Sequence, residues 1–166
     1  MPRPPPSSPR AAERCALDRL PPARRRPAPS IVATTRPSPR PGASMFDHLG
    51  FGVRDIEASS TFFLAALAPL RVELVMRGPD GSVGLGRDGK PSLWLYETPT
   101  APAPLHLAFV AESRAQVDAF HAAALAAGAQ DNGGPGLRPH YHPNYYAAFV
   151  IGPDGHNVEA VIHRPA

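Results

Sequence analysis

Three side chains whose types suit a divalent cation stand at matching places in this chain of 166 residues. His48, in Asp47-His48-Leu49-Gly50-Phe51-Gly52-Val53, and His106, in Leu105-His106-Leu107-Ala108-Phe109-Val110, each open a short apolar segment, 58 residues apart. Glu159 lies in a third such segment, Asn157-Val158-Glu159-Ala160-Val161. Two neutral imidazoles and one carboxylate that leave coordination positions open suit Fe(II), Mn, Ni, Zn or Co, and sequence does not choose among them. Such a site polarises a bound oxygen or stabilises an enolate, with Glu159 able to double as ligand and base. One histidine alone reads as a packed core or rim residue. Two at equivalent repeat positions, with a carboxylate on a matching face, read better as ligands.

A second cluster is Pro139-His140-Tyr141-His142-Pro143-Asn144-Tyr145-Tyr146. It reads either as an aromatic surface loop or as a lid or pocket wall supplying hydrogen bonds and proton transfer. In the second case His142, nearer the following strand than His140, and Tyr145 join Glu159 as candidate catalytic residues. His156 reads as a turn residue and His121 as an exposed helix residue. His163 shares the Glu159 face and is a candidate pocket group. Arg54 and Arg138 could meet an anionic substrate, although solvated arginines are commoner. The chain has no P-loop, no GxGxxG after a strand and no serine-centred elbow.

The elements that must position these groups follow from periodicity. Residues 46–53 alternate as a strand. Asp55 is an N-cap for a helix over about 56–67, with Ile56, Phe63 and Leu67 on one stripe, ended by Pro69. Residues 71–76, 82–87 and 92–97 read as strands between Gly/Pro/Asp turns. Residues 98–104, with three prolines, are a linker. The plan then repeats: a strand at 105–111, a helix opened by the capping pattern Ser113-Arg114-Ala115-Gln116 and closed by Gly128, a Gly/Pro-rich loop at 129–141 with room for one short strand, and strands at 145–151 and 157–163. The expected fold is α+β: two tandem βαβββ modules, 46–97 and 105–163, forming a curved, partly closed mixed sheet with the helices outside. Alternation puts Leu49, Phe51 and Val53 under a helix, likewise Leu105, Leu107 and Phe109, and Val158, Ala160 and Ile162. His48, His106 and Glu159 then face a hollow.

Residues 1–44 are of a different composition. They hold 12 of the 23 prolines and 9 of the 17 Lys+Arg but only Glu13 and Asp18 as acids, a charge of about +7, which leaves the remainder at about −4. The overall +3 therefore describes this tail, and residues 45–166 are not expected to bind nucleic acid. Such a tail cannot bury enough apolar surface to order itself and reads as disordered. It stands open as a translated stretch ahead of a start at Met45, as an arm for acidic partners, or as a targeting segment. Cys15, the only cysteine, lies there, so the domain has no disulfide and no thiolate. With no apolar run of ~18 residues, no membrane span is expected and a cytoplasmic location is the default.

His48…Val53-Arg54-Asp55 running into Phe62-Phe63, His106…Phe109-Val110 running into a helix, and Gly152-Pro153-Asp154-Gly155-His156-Asn157-Val158-Glu159 together resemble the vicinal oxygen chelate superfamily of glyoxalases, bleomycin-resistance proteins, fosfomycin-resistance enzymes and extradiol dioxygenases. The resemblance covers Phe46 to about His163. It implies a metal held by His48, His106 and Glu159, a small-molecule substrate, and a homodimer. A fourth carboxylate of that pattern is not matched cleanly: counting from Asp88 reaches Leu93 or Trp94, and Glu97 comes late. The function implied is a glyoxalase-like, metal-dependent lyase or isomerase acting on a small oxygenated metabolite. The alternatives are an Fe(II) extradiol-type dioxygenase, with Val150 where that pattern has Tyr, or a metal-free antibiotic-binding protein whose cleft is lined by aromatics such as Trp94.

Overall fold

A computed structural model describes residues 45–100 and 102–165; the reading of the tail lies outside these residues. The elements follow the repeat: β1 (Leu49–Val53), α1 (Ile56–Leu67), β2 (Glu73–Arg77), β3 (Val83–Arg87), β4 (Lys90–Glu97), then β5 (His106–Val110), α2 (Arg114–Ala126), β6 (Gln130–Asp131), β7 (Gly136–Leu137), β8 (Tyr146–Ile151) and β9 (Asn157–Ile162). The caps act as the residue types require. Asp55 accepts from the Ala58 N–H at 2.8 Å, and Ser113 accepts from the Gln116 N–H at 3.2 Å. The Gln116 side chain reaches back one residue further than a reciprocal cap would, accepting from the Glu112 N–H at 2.7 Å.

The α+β class and the two modules are present. The strands divide into two hydrogen-bonded sheets rather than one, ordered β1-β4-β3-β2 and β5-β9-β8-β6, with β7 also on β8. Each module pairs its first and last strands in parallel and the rest antiparallel. The Gly/Pro-rich loop supplies two short strands, not one, because both β6 and β7 find open backbone groups on β8. The helices pack against each other. Phe51, Val53, Phe62, Phe63 and Leu67 of the first module share one buried cluster with Leu107, Val117, Phe120, Val158 and Ala160 of the second. The hydrophobic face of each sheet is thus covered from one side, leaving the opposite face free.

Polar ties reinforce this union. The Arg54 N–H and its Nε donate to the two oxygens of Asp154, at 3.0 and 2.6 Å. The Asp154 side chain is 4% exposed. Its burial would raise the carboxyl pKa, but the bonds from Arg54 hold it below the ordinary value of 3.8. Arg71 also pairs with Glu112 across the modules. His156 is buried rather than a free turn residue, because the Leu105 N–H donates to its Nδ1 at 3.0 Å and the Phe51 ring stands edge-on to it at 5.0 Å. Burial lowers its pKa.

Replacing Asp154 by Asn keeps a residue that tolerates the left-handed backbone there (φ 57°) while removing the charge. The expected loss is about 1.5–3 kcal/mol at neutral pH, the worth of hydrogen bonds to a charged group. Because the native carboxyl pKa is depressed, that contribution is present above about pH 4 and disappears as pH falls through the native value. Urea titrations should therefore show wild type and Asp154→Asn converging in strong acid. A constant gap from pH 7 to pH 2 would refute the ion-pair account.

Candidate functional site

Pairing on adjacent strands fixes the site. In the second module His106 lies opposite Asn157, and Ala108 opposite Glu159, so His106 and Glu159 share one face of the β5–β9 pair. His106 Nε2 is 2.8 Å from Glu159 Oε2. Tyr145 Oη donates to Glu159 Oε1 at 2.5 Å. On the other side of the imidazole, the Asn157 Nδ2 donates to His106 Nδ1 at 2.7 Å, and Asn132 Nδ2 donates to Asn157 Oδ1 at 3.2 Å. The directions chain together: an accepting Nδ1 leaves the proton on Nε2, which gives it to Glu159. The Glu159 side chain is 1% exposed while that of His106 is 53% exposed. A buried carboxylate is thus held at the foot of an accessible imidazole, both its oxygens engaged by donors. Burial, then the bond to Glu159, push the Tyr145 phenol well above its usual pKa, so it is a fixed donor.

The remaining residues of the aromatic segment gather by ring contact. His163 meets Tyr145 edge-on at 4.8 Å and His142 at 6.2 Å. His142 Nδ1 accepts from the Asn144 N–H. Thus His142 reaches Glu159 only through His163 and Tyr145, and Tyr145 alone of the two candidates touches the carboxylate. His121 is tied to Asp131 at 2.9 Å and is mostly covered, rather than exposed, because β6 packs beside α2. Arg54 is committed to Asp154.

His48 is placed elsewhere. It lies just before β1, on the other sheet, half exposed and bonded through Nδ1 to Asp47 at 3.0 Å. Among the described residues no three His, Cys, Asp or Glu side chains gather as a metal site. The structure brings together two of the three expected ligands, His106 and Glu159, and sets His48 apart from them. The same register settles the fourth position. Gly50, two residues after His48, lies opposite Trp94, as Ala108 lies opposite Glu159, so Trp94 occupies the place of the second carboxylate. Glu97 belongs to the face of Leu93 and Leu95, where its Oε2 accepts from the Ile56 N–H at the start of α1, 3.4 Å away. It caps a helix and is not in the hollow.

Trp94 lines an open hollow of about 700 Å³ together with His48, Met76, Pro79, Pro91 and Tyr96. Its ring lies nearly parallel to Tyr96, with centroids 6.5 Å apart and planes at 15°. It lies flat over β3 because Gly84 is beneath: a Cβ there would sit 3.1 Å from the indole. Sequence reading does not pick out Asn132 or Asn157 as partners of His106, whereas it does name Arg138 as a group that could meet an anionic substrate. Asparagine in a Gly-rich loop or at a strand start reads as turn chemistry, and only the pairing with His106 shows otherwise.

The family model described as the Glyoxalase/Bleomycin resistance protein/Dioxygenase superfamily matches residues 45–160. Among solved structures, a glyoxalase/bleomycin resistance protein from Albidiferax ferrireducens is 32% identical, covering 74% of this chain and 100% of its own, with a TM-score of 0.58. A glyoxalase/bleomycin resistance protein/dioxygenase family enzyme from Burkholderia phytofirmans is 21% identical over 71% of this chain and 98% of its own, at TM-score 0.56. A glyoxalase/bleomycin resistance protein/dioxygenase from Nocardioides is 21% identical over 80% of this chain and 87% of its own, at TM-score 0.51. The comparison with curated proteins found no match. Among the described residues no helix is long and apolar enough to cross a membrane.

Proposed function

Because the chain belongs to the glyoxalase/bleomycin resistance protein/dioxygenase superfamily, we propose that it is a metal-dependent enzyme of glyoxalase type, carrying out a lyase or isomerase reaction on a small oxygenated metabolite. The observation that carries this reading is the buried Glu159 held 2.8 Å from the accessible His106 Nε2. For metal–ligand bonds of ~2.0–2.2 Å, two donors in one coordination shell lie roughly 3 Å apart, so this pair fits a divalent cation as two of its ligands once the Asn157 amide turns its oxygen to accept from Nδ1–H, which frees the Nε2 lone pair. It needs a third. His48 occupies the repeat-equivalent place, and β1 and β5 are both edge strands with one side unpaired. Leu49 and Val110 on those edges are 41% and 65% exposed. We infer a homodimer in which His48 of one copy completes the His106–Glu159 site of the other.

A bound divalent cation would polarise a substrate oxygen and ease enolate formation. The chain's own part is proton handling. Glu159 is placed to take a proton from carbon next to that oxygen. Tyr145, a donor that does not ionise at neutral pH, steadies the carboxylate at Oε1 and leaves Oε2 beside His106. His142 and His163 lie on the outward side of Tyr145, where they can exchange protons with solvent. A metal-free binding protein is the second reading, favoured by the aromatic hollow around Trp94, which suits a flat apolar ligand. An Fe(II) dioxygenase would use the same three ligands, and oxygen uptake on turnover would identify it.

The test is to strip the full chain with chelator and titrate it with Zn²⁺ or Co²⁺ while following mass by sedimentation. The expected result is two ions per dimer, with His48→Ala and His106→Ala losing affinity alike. A wild type that binds no metal would favour the binding module. Undiminished binding in His48→Ala would confine the site to one chain.

A further inference from the structure

The sheet face that carries His106 and Glu159 also carries a cation that the metal chemistry does not use. Arg138 follows β7, and its N–H donates to the Tyr145 carbonyl at 2.7 Å, so it sits on the edge of the sheet beyond β8. Its side chain folds back along the strand. Nη1 donates to the Leu137 carbonyl at 3.3 Å and Nη2 to the Gly134 carbonyl at 2.7 Å. The guanidinium lies 5.6 Å from the centroid of Phe149. Gly136 leaves room for this path: a Cβ there would stand 2.9 Å from Nη1. Phe149 pairs with Glu159 across β8 and β9, and the His106 ring is 6.3 Å from it. That face therefore presents, in succession, the His106–Glu159 pair, the Phe149 ring and the Arg138 guanidinium. Arg138 is half-buried and has no carboxylate within ion-pairing distance among the described residues. An arginine whose position is fixed by two carbonyls, yet whose charge is unmatched, is preorganised for an anion.

We propose that Arg138 anchors an anionic group of the substrate, a carboxylate, at the far end of a site whose reacting oxygen lies at His106 and Glu159. This rests on reading the His106–Glu159 hollow as the substrate site and adds its substrate class. Two interstrand spacings separate β9 from β7, about 10 Å, and Phe149 forms the floor between. The substrate is accordingly an oxygenated carboxylate with an apolar or planar portion of that reach, rather than a neutral metabolite.

The probe is benzoate against its neutral isostere benzamide, titrated into metal-stripped full-length protein and followed by calorimetry and by the ¹⁵N resonance of the Arg138 Nε. Benzoate should bind about 10- to 100-fold more tightly than benzamide, the range for a charge-assisted bond, and should move the Arg138 resonance. Arg138→Gln should abolish that preference and Arg138→Lys should keep part of it, since lysine retains charge but not the fork. Circular dichroism checks that the variants fold. If Arg138→Gln does not, the wild-type resonance and Arg138→Lys decide. Equal binding of the two probes, no benzoate binding, or a preference that survives in folded Arg138→Gln would overturn the proposal. Because metal is absent throughout, a failed zinc titration with an intact benzoate preference would reject the metal reading alone.

Discussion

Glu159→Gln is expected to weaken Zn²⁺ or Co²⁺ binding by more than about 100-fold, while Glu97→Gln leaves it unchanged. Loss of a group that merely orients a ligand costs about 10–100-fold in affinity, and Glu159 is assigned as a ligand itself. The substitution is nearly isosteric, and the amide oxygen can still accept one of the two bonds now made by His106 and Tyr145, so the fold should survive and affinity report the charge. Two imidazoles and one carboxylate would leave M²⁺ with a net charge of +1, suited to an anionic oxygen; Gln would raise this to +2 without supplying an equivalent donor. Glu97 provides the contrast. It is an equally exchangeable carboxylate on the neighbouring module, yet it faces the N-terminus of α1. Titration of both variants by calorimetry or Co²⁺ absorbance is the measurement. Equal losses would show that Glu97 reaches the metal after all and would restore a four-ligand site.

The contrast between these glutamates shows where sequence reading succeeds. Alternation assigned the faces of β1, β5 and β9 correctly, because burial of Phe51, Leu107, Val158 and Ala160 fixes strand register. That is why His106 and Glu159 could be paired from spacing alone. Counting from the turn at Asp88 gave Leu93 or Trp94 and could not choose. The bulge between Leu85 and Gly86 shifts the β3–β4 register by one, and such a bulge has no fixed sequence signal. His48 was grouped with His106 because repeats suggest symmetry, but symmetry between modules does not say whether their hollows face one another within a chain. That depends on how α1 and α2 pack, through Phe62, Phe63, Val117 and Phe120, and helix packing leaves no periodic trace distinguishing one arrangement from another. Asp154, a plain turn residue by composition, proves to tie the modules together because Arg54 lies across from it, 100 residues earlier.

The same shared core makes the largest stability effect a test of how the modules depend on each other. Phe63 is fully buried on α1, edge-on to Phe51 at 5.9 Å and to Phe62 at 5.3 Å. Phe63→Ala should cost about 3–5 kcal/mol, from lost transfer energy and the cavity left behind, whereas Leu137→Ala, 48% exposed, should change stability by no more than about 0.5 kcal/mol. Against a typical total of about 5–15 kcal/mol, the first is severe. Phe63 also touches the strand that follows His48, while the cluster it belongs to continues into Val117 and Phe120 beneath the His106–Glu159 sheet. If that cluster is one cooperative unit, urea unfolding of Phe63→Ala should remain a single transition at lower midpoint. Fluorescence of Trp94 in the first module and the Tyr145 environment in the second should then change together. Two separated transitions, with the Tyr145 signal outlasting Trp94, would mean that each βαβββ module folds on its own core and that only polar ties such as Arg54–Asp154 and Arg71–Glu112 hold them in register.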